Sequence, residues 1–289
     1  MDPSDGAVYG PVGQERAGFY GVEVLGLPGA VGLLRPVEDG WPVLTVRREP
    51  LGLTRVDKRV GADRATYRLL AAGGDVSVDR RAMTVTCALD GEHPDEVLVH
   101  PFLAMAGAVV ARWLGREVLH GGAVVIDGGA WVVLGAREAG KSSLLAQLHL
   151  LGLPVISDDV VVIDGGEVLA GPGSIDLRTG AANHLGVGED LGVVGTRQRW
   201  RVRVPPVPPS VPLSGFVHPE WSEETAVVTM PPIARLPLLG HNAALPGPPA
   251  DAQAFFELGT FPFVRFQRPR DFGQMEATAA SLIRALRSL

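Results

Sequence analysis

The stretch "WVVLGAREAGKSSLLAQL", Trp131–Leu148, contains the most informative pattern in the chain. An apolar, strand-like run leads into a loop that fits G-x-x-x-x-G-K-[ST] from Gly135 to Ser142, and leucines at helical spacing follow the loop. Glycines allow successive backbone N–H groups to converge on an anion, and a helix N-terminus adds its positive dipole end. In such a loop Lys141 reaches the β- and γ-phosphates of a nucleotide, and the Ser142 hydroxyl binds Mg²⁺. The stretch therefore predicts a P-loop nucleotide core in an α/β fold.

Two carboxylates follow this loop in "VISDDVVV". They are Asp158 and Asp159, at the end of an apolar strand, where α/β sheets bind their ligands. One of them is suited to holding Mg²⁺ and the other to accepting a proton from an attacking hydroxyl. An ordinary polar strand end is the alternative, and the phosphate loop upstream favours the functional interpretation.

His120 precedes the same loop, in "LHGGAVV". A histidine beside glycines commonly caps a turn or packs under a strand, so its residue type leaves structural and functional roles open.

Hydrophobic periodicity predicts the surrounding elements. Residues 1–96 form a strand-rich region, and residues 97–289 form the P-loop domain with one helix over 97–115. Residues 179–212, rich in Gly, Arg and Pro, are predicted to form a mobile loop, and a C-terminal helix should bury one face. The remaining predicted elements are strands in "GFYGVEVLGL", "WPVLTVRRE", "ATYRLLAAG", "AMTVTCALD", "LSGFVHPEW" and "ETAVVTM", a linker in "ALPGPPADAQ", and hairpins at the turns of "VVIDGGAW" and "VVIDGGEV".

Composition excludes several classes of protein. The net charge of −6 argues against nucleic acid or a membrane surface as a partner. Cys87 is the only cysteine, which excludes an intramolecular disulfide and a four-cysteine zinc site. The N-terminal "MDPSDGAVYG" lacks the apolar segment of a Sec-type signal, and "VLVHPFLAMAGAVVARWLG" is interrupted by polar residues, so a cytoplasmic location and no membrane span are expected.

The order and spacing of "LHGGAVV", "GAREAGKSS" and "ISDD" resemble the HPr kinase/phosphorylase family, whose nucleotide core is similar to that of phosphoenolpyruvate carboxykinase. "SIDLRTG", Ser174–Gly180, looks like the acidic-x-Arg-Gly stretch of that family. The resemblance covers about residues 115–180. Later features, among them "GPGSIDLR" and "FVRFQRPRDF", look more like the HPr-kinase-like proteins of bacterial peptide-maturation clusters, including those of lasso peptides.

The resemblance implies an ATP- and Mg²⁺-dependent serine kinase of a peptide or protein. Asp159 would accept the proton of the attacking hydroxyl, His120 would position the aspartate and the phosphate, and Arg178 would neutralise charge on the transferred group. The implied metal-site residues are Ser142, Asp158 and Asp176. The implied nucleotide-binding residues are Gly135, Glu138, Ala139, Gly140, Lys141, Ser142 and Ser143.

Two departures from the family limit what the resemblance implies. Ser143 stands where the family commonly has an acidic residue, which weakens the case for the reverse, phosphorylase reaction. The stretch with which true HPr kinases form hexamers and dock their carrier is not recognisable, so the acceptor and any homo-oligomer are left open.

Other interpretations also remain open. The chain is alternatively a nucleotide-binding regulator or degenerate kinase, or a small-molecule phosphotransferase. Arg265, Arg268 and Arg270 either replace a late arginine cluster of the family or form a solvated basic turn.

Overall fold

The computed structural model describes residues 16–52, 56–69 and 73–289, which form a mixed α/β fold with several sheets. The stretch "MDPSDGAVYG" and residues 70–72 of the predicted strand "ATYRLLAAG" lie outside the described residues.

The strand-rich character predicted for the N-terminal region is confirmed over the residues that are described. Its eight described strands form one sheet in the order β3-β1-β2-β4-β8-β7-β6-β5. They are β1 Ala17–Phe19, β2 Val22–Leu25, β3 Arg35–Pro36, β4 Val43–Pro50, β5 Arg59–Val60, β6 Arg64–Leu69, β7 Gly74–Asp79 and β8 Thr84–Leu89. Buried residues alternate with less buried ones along β8, the pattern of a strand with one face on a core. The buried hydrophobic residues of this sheet belong to one hydrophobic core cluster that also includes Val118, Val160 and Leu245. The sheet therefore packs against parts of the chain that follow it in sequence.

The described residues after this region contain eleven further strands. They are β9 Glu117–Ile126, β10 Gly129–Leu134, β11 Val155–Ser157, β12 Val160–Asp164, β13 Glu167–Leu169, β14 Ser174–Leu177, β15 Glu189–Val194, β16 Arg197–Arg203, β17 Ser210–Trp221, β18 Ala226–Thr229 and β19 Phe263–Arg268. Eight of these described strands form a second sheet in the order β10-β9-β12-β13-β17-β19-β18, with β11 beside β9 and with β10 also paired to β17. The other three form a small sheet in the order β14-β16-β15.

The helices of the described residues are α1 Asp95–Val97, α2 Ala104–Trp113, α3 Lys141–Leu150, α4 Thr179–Leu185, α5 Pro232–His241, α6 Ala252–Leu258 and α7 Met275–Leu286. The predicted C-terminal helix is confirmed as α7, which buries Met275, Ala279, Leu282 and Leu286. Helices α5 and α6 were not predicted, and α6 begins inside the expected linker, where the Asp251 side chain accepts hydrogen bonds from Gln253 N and Ala254 N.

Both predicted hairpins are confirmed. Strands β9 and β10 pair antiparallel, and strands β12 and β13 do the same. The first turn consists of Asp127 at φ 49° and Gly128 at φ 84°, both left-handed, as a two-residue type I′ turn requires. This hairpin places the end of β10, and therefore the loop after it, next to the middle of β9.

Strand direction brings the candidate site to one edge of the second sheet. Strand β17 runs parallel to both β10 and β19, so the carboxyl ends of these three strands lie at the same edge. Strand β12 begins at this edge as well, because Val160 pairs with His120 of β9. The phosphate loop, the aspartate pair and the ends of β17 and β19 therefore share one edge, the position at which open α/β sheets bind ligands.

The single helix predicted over 97–115 is wrong. His100 is extended, at φ −141° and ψ 125°, and Pro101 follows it, so α1 and α2 are separate. A residue before proline is disfavoured in the helical conformation, which accounts for the break.

The mobile loop predicted over 179–212 is also wrong. This stretch contains α4, β15, β16 and the first residues of β17, and β16 pairs with both β14 and β15. Gly186 caps the end of α4, Gly195 lies between β15 and β16, and the alternating arginines of "RQRWRVR" form β16.

No single helix among residues 16–52, 56–69 and 73–289 is long and apolar enough to cross a membrane. The segments Asp95–Phe102 and Ala104–Trp113 reach that length and composition only as a pair, which is bent by 60°.

Candidate active site

The predicted phosphate loop, residues 135–142, runs from the end of β10 into the first turn of α3, as the sequence predicts. Gly140 is left-handed, at φ 76°, immediately before the first residue of α3, and a side chain there would collide with Arg268 and Trp221. The Lys141 Nζ donates to Gly135 O at 2.6 Å and to Ala136 O at 3.0 Å. Burial lowers the pKa of Lys141, although the two nearby aspartates oppose the shift. The two carbonyl contacts therefore hold the Lys141 amine against the first residues of the loop.

The Ser142 hydroxyl contacts the first of the two aspartates. Its Oγ donates to Asp158 Oδ1 at 3.0 Å, so the two predicted metal-site residues are adjacent. Asp158 is only 2% exposed, and its Oδ2 has no hydrogen-bond partner among the described residues. Burial, and then the neighbouring Asp159 carboxylate, raises the pKa of Asp158 to about 8. A buried carboxylate in this condition fits a site that is completed by a cation.

The ligand set around Asp158 is of the kind that Mg²⁺ takes. In the described part of the chain, no three His, Cys, Asp or Glu side chains form a metal cluster. Mg²⁺ in phosphoryl-transfer sites is usually held by one or two protein oxygens together with substrate phosphates and water. The Ser142 hydroxyl and the Asp158 carboxylate would supply such oxygens, whereas a soft or all-protein site would need more ligands.

Replacing Asp158 with asparagine is expected to stabilise the Mg²⁺-free protein at about pH 8. The folded-state pKa is raised above the ordinary value of 3.8, so the stability linked to this carboxyl is fully present below about pH 4 and is lost by about pH 8. Asparagine cannot ionise and avoids that loss. Urea unfolding in EDTA should show the variant a few kcal/mol more stable than wild type near pH 8, with little difference near pH 4. An equal change at both pH values would contradict the explanation.

Asp159 lies beside the loop with an unusual backbone. Its φ is 67°, a left-handed conformation that non-glycine residues rarely adopt and that is concentrated at functional sites. The side chain is 30% exposed, whereas that of Asp158 is buried. Of the two adjacent carboxylates, Asp159 is therefore the one that an incoming hydroxyl could reach.

His120 links Asp159 to Lys141. Its Nδ1 lies 2.9 Å from Asp159 O, and its Nε2 lies 3.2 Å from Lys141 Nζ. A carbonyl oxygen only accepts, so Nδ1 carries the proton and Nε2 is left to accept from the lysine. Burial, and then the Lys141 cation, lowers the pKa of His120, which favours this neutral tautomer. Of the roles that the sequence left open, the geometry favours positioning within the site.

A second histidine, which sequence reasoning missed, lies between α1 and α2 and approaches the Asp159 carboxylate. The Nε2 of His100 lies 3.8 Å from Asp159 Oδ2 and 3.6 Å from Asp176 Oδ2. The ring is 1% exposed, and burial lowers its pKa. His100 lies in an apolar run that carries no motif, so its sequence offered no signal.

Asp176, the third predicted metal-site residue, is surrounded by arginines. Arg201 Nε lies 2.9 Å from Asp176 Oδ1, its Nη2 lies 3.0 Å from Oδ2, and Arg199 Nη1 lies 3.3 Å from Oδ2. Burial opposes ionisation of Asp176, but His100 and the arginines outweigh it and lower the pKa. The Asp176 side chain has no exposed surface. Metal binding by Asp176 remains a prediction, and it would require at least one of these ion pairs to open.

Two of the predicted arginines, Arg178 and Arg268, contact residues of the loop. Arg178 Nη1 is 3.0 Å from Glu138 Oε1, and both side chains are more than half exposed. Arg268 Nη2 donates to Ala139 O and Gly140 O at 3.1 Å each, so the last arginine of β19 touches the loop directly. Arg265 pairs with Glu220, and Arg270 lies beside Trp221. Arg268 is thus a buried part of the site, not a solvated turn.

Comparison with known proteins leaves the family open. No protein-family model matches the chain, and no curated protein matches it. The solved HPr(Ser) kinase/phosphatase from Coxiella burnetii is similar at 13% sequence identity, covering 60% of this chain and 97% of that chain with a TM-score of 0.30. A TM-score this low does not establish a shared fold, so the function has to be argued from the geometry of the site.

Proposed function

We propose that the protein is an ATP- and Mg²⁺-dependent kinase that transfers the γ-phosphoryl group to a serine or threonine hydroxyl of a peptide or protein. The observation that carries the proposal is the linked arrangement at the loop. Lys141 contacts His120, His120 contacts Asp159, and Ser142 contacts Asp158. A phosphate-binding loop alone would support only nucleotide binding. A partly exposed carboxylate held beside it supports transfer to a hydroxyl.

The chemistry follows from where each group lies. The acceptor oxygen would attack the γ-phosphorus while its proton passes to an Asp159 carboxylate oxygen, and the bond between the γ-phosphorus and the bridging oxygen would break to release ADP. Lys141 would turn from the loop carbonyls to the β- and γ-phosphate oxygens. Mg²⁺, held by Ser142 and Asp158, would neutralise charge on the same oxygens.

His120 would keep the Asp159 backbone in place through its Nδ1–H, and it would accept from Lys141 before the amine turns to the phosphates. Because the ring is neutral, it adds no second cation that would repel Lys141. Arg178, at Glu138 of the loop, is near enough to the loop to contribute a cation to the transferred group.

The acceptor class rests on the sequence resemblance to kinases of peptide-maturation clusters, which makes a ribosomally produced precursor peptide the first candidate. The N-terminal sheet would then be available for acceptor recognition. A nucleotide-binding regulator is less well supported, because binding alone does not require the exposed carboxylate of Asp159. A small-molecule phosphotransferase has the same donor site and differs only in its acceptor.

The test is phosphoryl transfer measured by intact mass. The purified protein would be incubated with ATP, Mg²⁺ and peptides encoded by neighbouring genes, each beside a counterpart in which every serine and threonine is alanine. We expect a gain of about 80 Da, one phosphoryl group, on a hydroxyl-bearing peptide only, and its loss in EDTA. ATP binding without a modified peptide, together with phosphorylation of a small alcohol, would favour the small-molecule alternative. Binding without any product would favour the regulator.

A further inference from the structure

A partly exposed tryptophan lies against the phosphate loop on the side away from the aspartates. Trp221 ends β17 and pairs with Arg268 of β19. A Cβ at Gly140 would lie 2.9 Å from Trp221 Cη2, so the edge of the ring touches the loop. Trp221 is nevertheless 41% exposed, so part of its ring is accessible to a ligand.

Arg268 holds this ring and the loop together. It is 3% exposed, and its guanidinium lies 4.5 Å from the centroid of the Trp221 ring. Its Nη2 binds the carbonyl oxygens of Ala139 and Gly140. The C=O and N–H of a trans peptide point in opposite directions, so the N–H groups of Gly140 and Lys141 are directed away from Arg268, to the side on which a phosphate would bind. The Nε of Arg268 is buried and has no hydrogen-bond partner among the described residues.

The order of strands sets the direction in which a nucleotide would lie. Strand β10, which leads into the loop, has β9 on one side and β17 on the other. Asp159 contacts His120 of β9, whereas Trp221 lies on β17. If the γ-phosphate faces Asp159, the remainder of the nucleotide extends across the loop toward Trp221.

We propose that Trp221 is the platform on which the nucleotide base stacks, with Arg268 behind the ring and the exposed Arg270 beside it. The inference rests on the proposed function, because it requires a nucleotide in the loop. Every base has a π-face, and an exposed indole ring offers a surface of matching size. The guanidinium of Arg270 lies 5.8 Å from the Trp221 ring centroid and is positioned to contact the rim of a stacked base.

Another exposed aromatic ring provides a matched control. Phe272 is 43% exposed and stacks on His184 with centroids 5.2 Å apart. It borders a cavity of about 310 Å³ that is also lined by Gln147 and Leu150 of α3 and by Leu151, which follows the helix. These residues lie toward the C-terminal end of α3, roughly two to three turns after Lys141. Phosphates bind in front of a helix N-terminus, so this cavity lies away from the predicted phosphate position.

The test compares two probes, Mg²⁺·ADP and Mg²⁺·tripolyphosphate, by titration calorimetry. Trp221→Ala should weaken ADP binding about 5- to 150-fold, the range of one base–aromatic stack, and leave tripolyphosphate binding unchanged. Trp221→Phe should retain most of the ADP affinity. Phe272→Ala should change neither. Thermal unfolding of each variant would establish that it is folded. Should Trp221→Ala fail to fold, Trp221→Leu carries the test, because leucine keeps an apolar side chain against the loop but has no π-face on which a base can stack.

Each other outcome overturns the inference. Unchanged ADP affinity in Trp221→Ala, or a loss in Phe272→Ala alone, would place the base elsewhere and leave the proposed function intact. A loss of both probes in Trp221→Ala would indicate that the ring only supports the loop. Wild-type protein that binds neither probe would remove the proposed function together with the inference.

Discussion

Asp159→Asn is expected to lower kcat for phosphoryl transfer by about 10²–10⁴-fold, the usual contribution of a positioned general base. The amide keeps the shape of the side chain but cannot accept the hydroxyl proton. Asparagine also tolerates the left-handed backbone of this position, at φ 67°, so the local fold should survive. Initial rates with ATP, Mg²⁺ and the identified acceptor would measure the loss, and calorimetry should show ADP affinity within a few-fold of wild type.

Asp127→Asn is the matched control for this variant. Asp127 is also a left-handed aspartate, at φ 49°, but it lies in the β9–β10 turn with an exposed side chain. The control should transfer phosphate at the wild-type rate. If Asp159→Asn retains transfer, Asp159 is not the base. If Asp159→Asn loses ADP affinity while Asp127→Asn keeps it, Asp159 instead has a role in nucleotide binding.

Arg201→Met is expected to lower the free energy of unfolding by about 3–5 kcal/mol, the typical cost of removing one partner of a buried ion pair. Arg201 is 1% exposed and binds both oxygens of Asp176. It also donates to the carbonyl oxygens of His100 and Glu96. Methionine keeps much of the volume of the side chain but leaves these acceptors without their donors. Urea unfolding at neutral pH would measure the change.

Arg203→Met, two residues along β16, is the control. Arg203 pairs with Glu96 through an exposed guanidinium, and exposed pairs contribute at most about 1 kcal/mol. A similar loss in both variants would argue that β16 itself, not the buried pair, is sensitive. The double variant Asp176→Leu with Arg201→Met should recover part of the lost stability, because it removes both charges at once. No recovery would contradict the assignment of the loss to an unpaired Asp176.

The sequence predicted those parts of the site that are local in the chain. The strand, loop and helix from Trp131 to Leu148 form as expected, because glycine spacing and hydrophobic periodicity act over a few residues. The hairpin turn at Asp127 and Gly128 follows from the conformations that these residue types allow. The order of His120, the loop and the aspartates likewise predicted side chains that the structure brings into contact.

Local pattern also misled in two places. The apolar run over 97–115 has helical composition, but the constraint that Pro101 imposes on His100 breaks it. The stretch 179–212 has the composition of a loop, yet pairing with β14 orders its arginines into β16. Pairing with another strand overrides local propensity, and the composition of a segment does not reveal its pairing partner. Composition alone therefore could not predict β16.

Only the tertiary structure decided which distant residues complete the site. Arg201 meets His100 across 101 positions, and Arg268 meets Ala139 across 129. Such contacts arise from strand order, which leaves no local trace in the sequence. The sequence by itself therefore determined the strand, loop and helix of the candidate site, which depend on a short, fixed spacing of residues. The buried ion pairs, the second histidine and the Trp221 surface depend on how the sheets pack, because that packing alone brings their residues together.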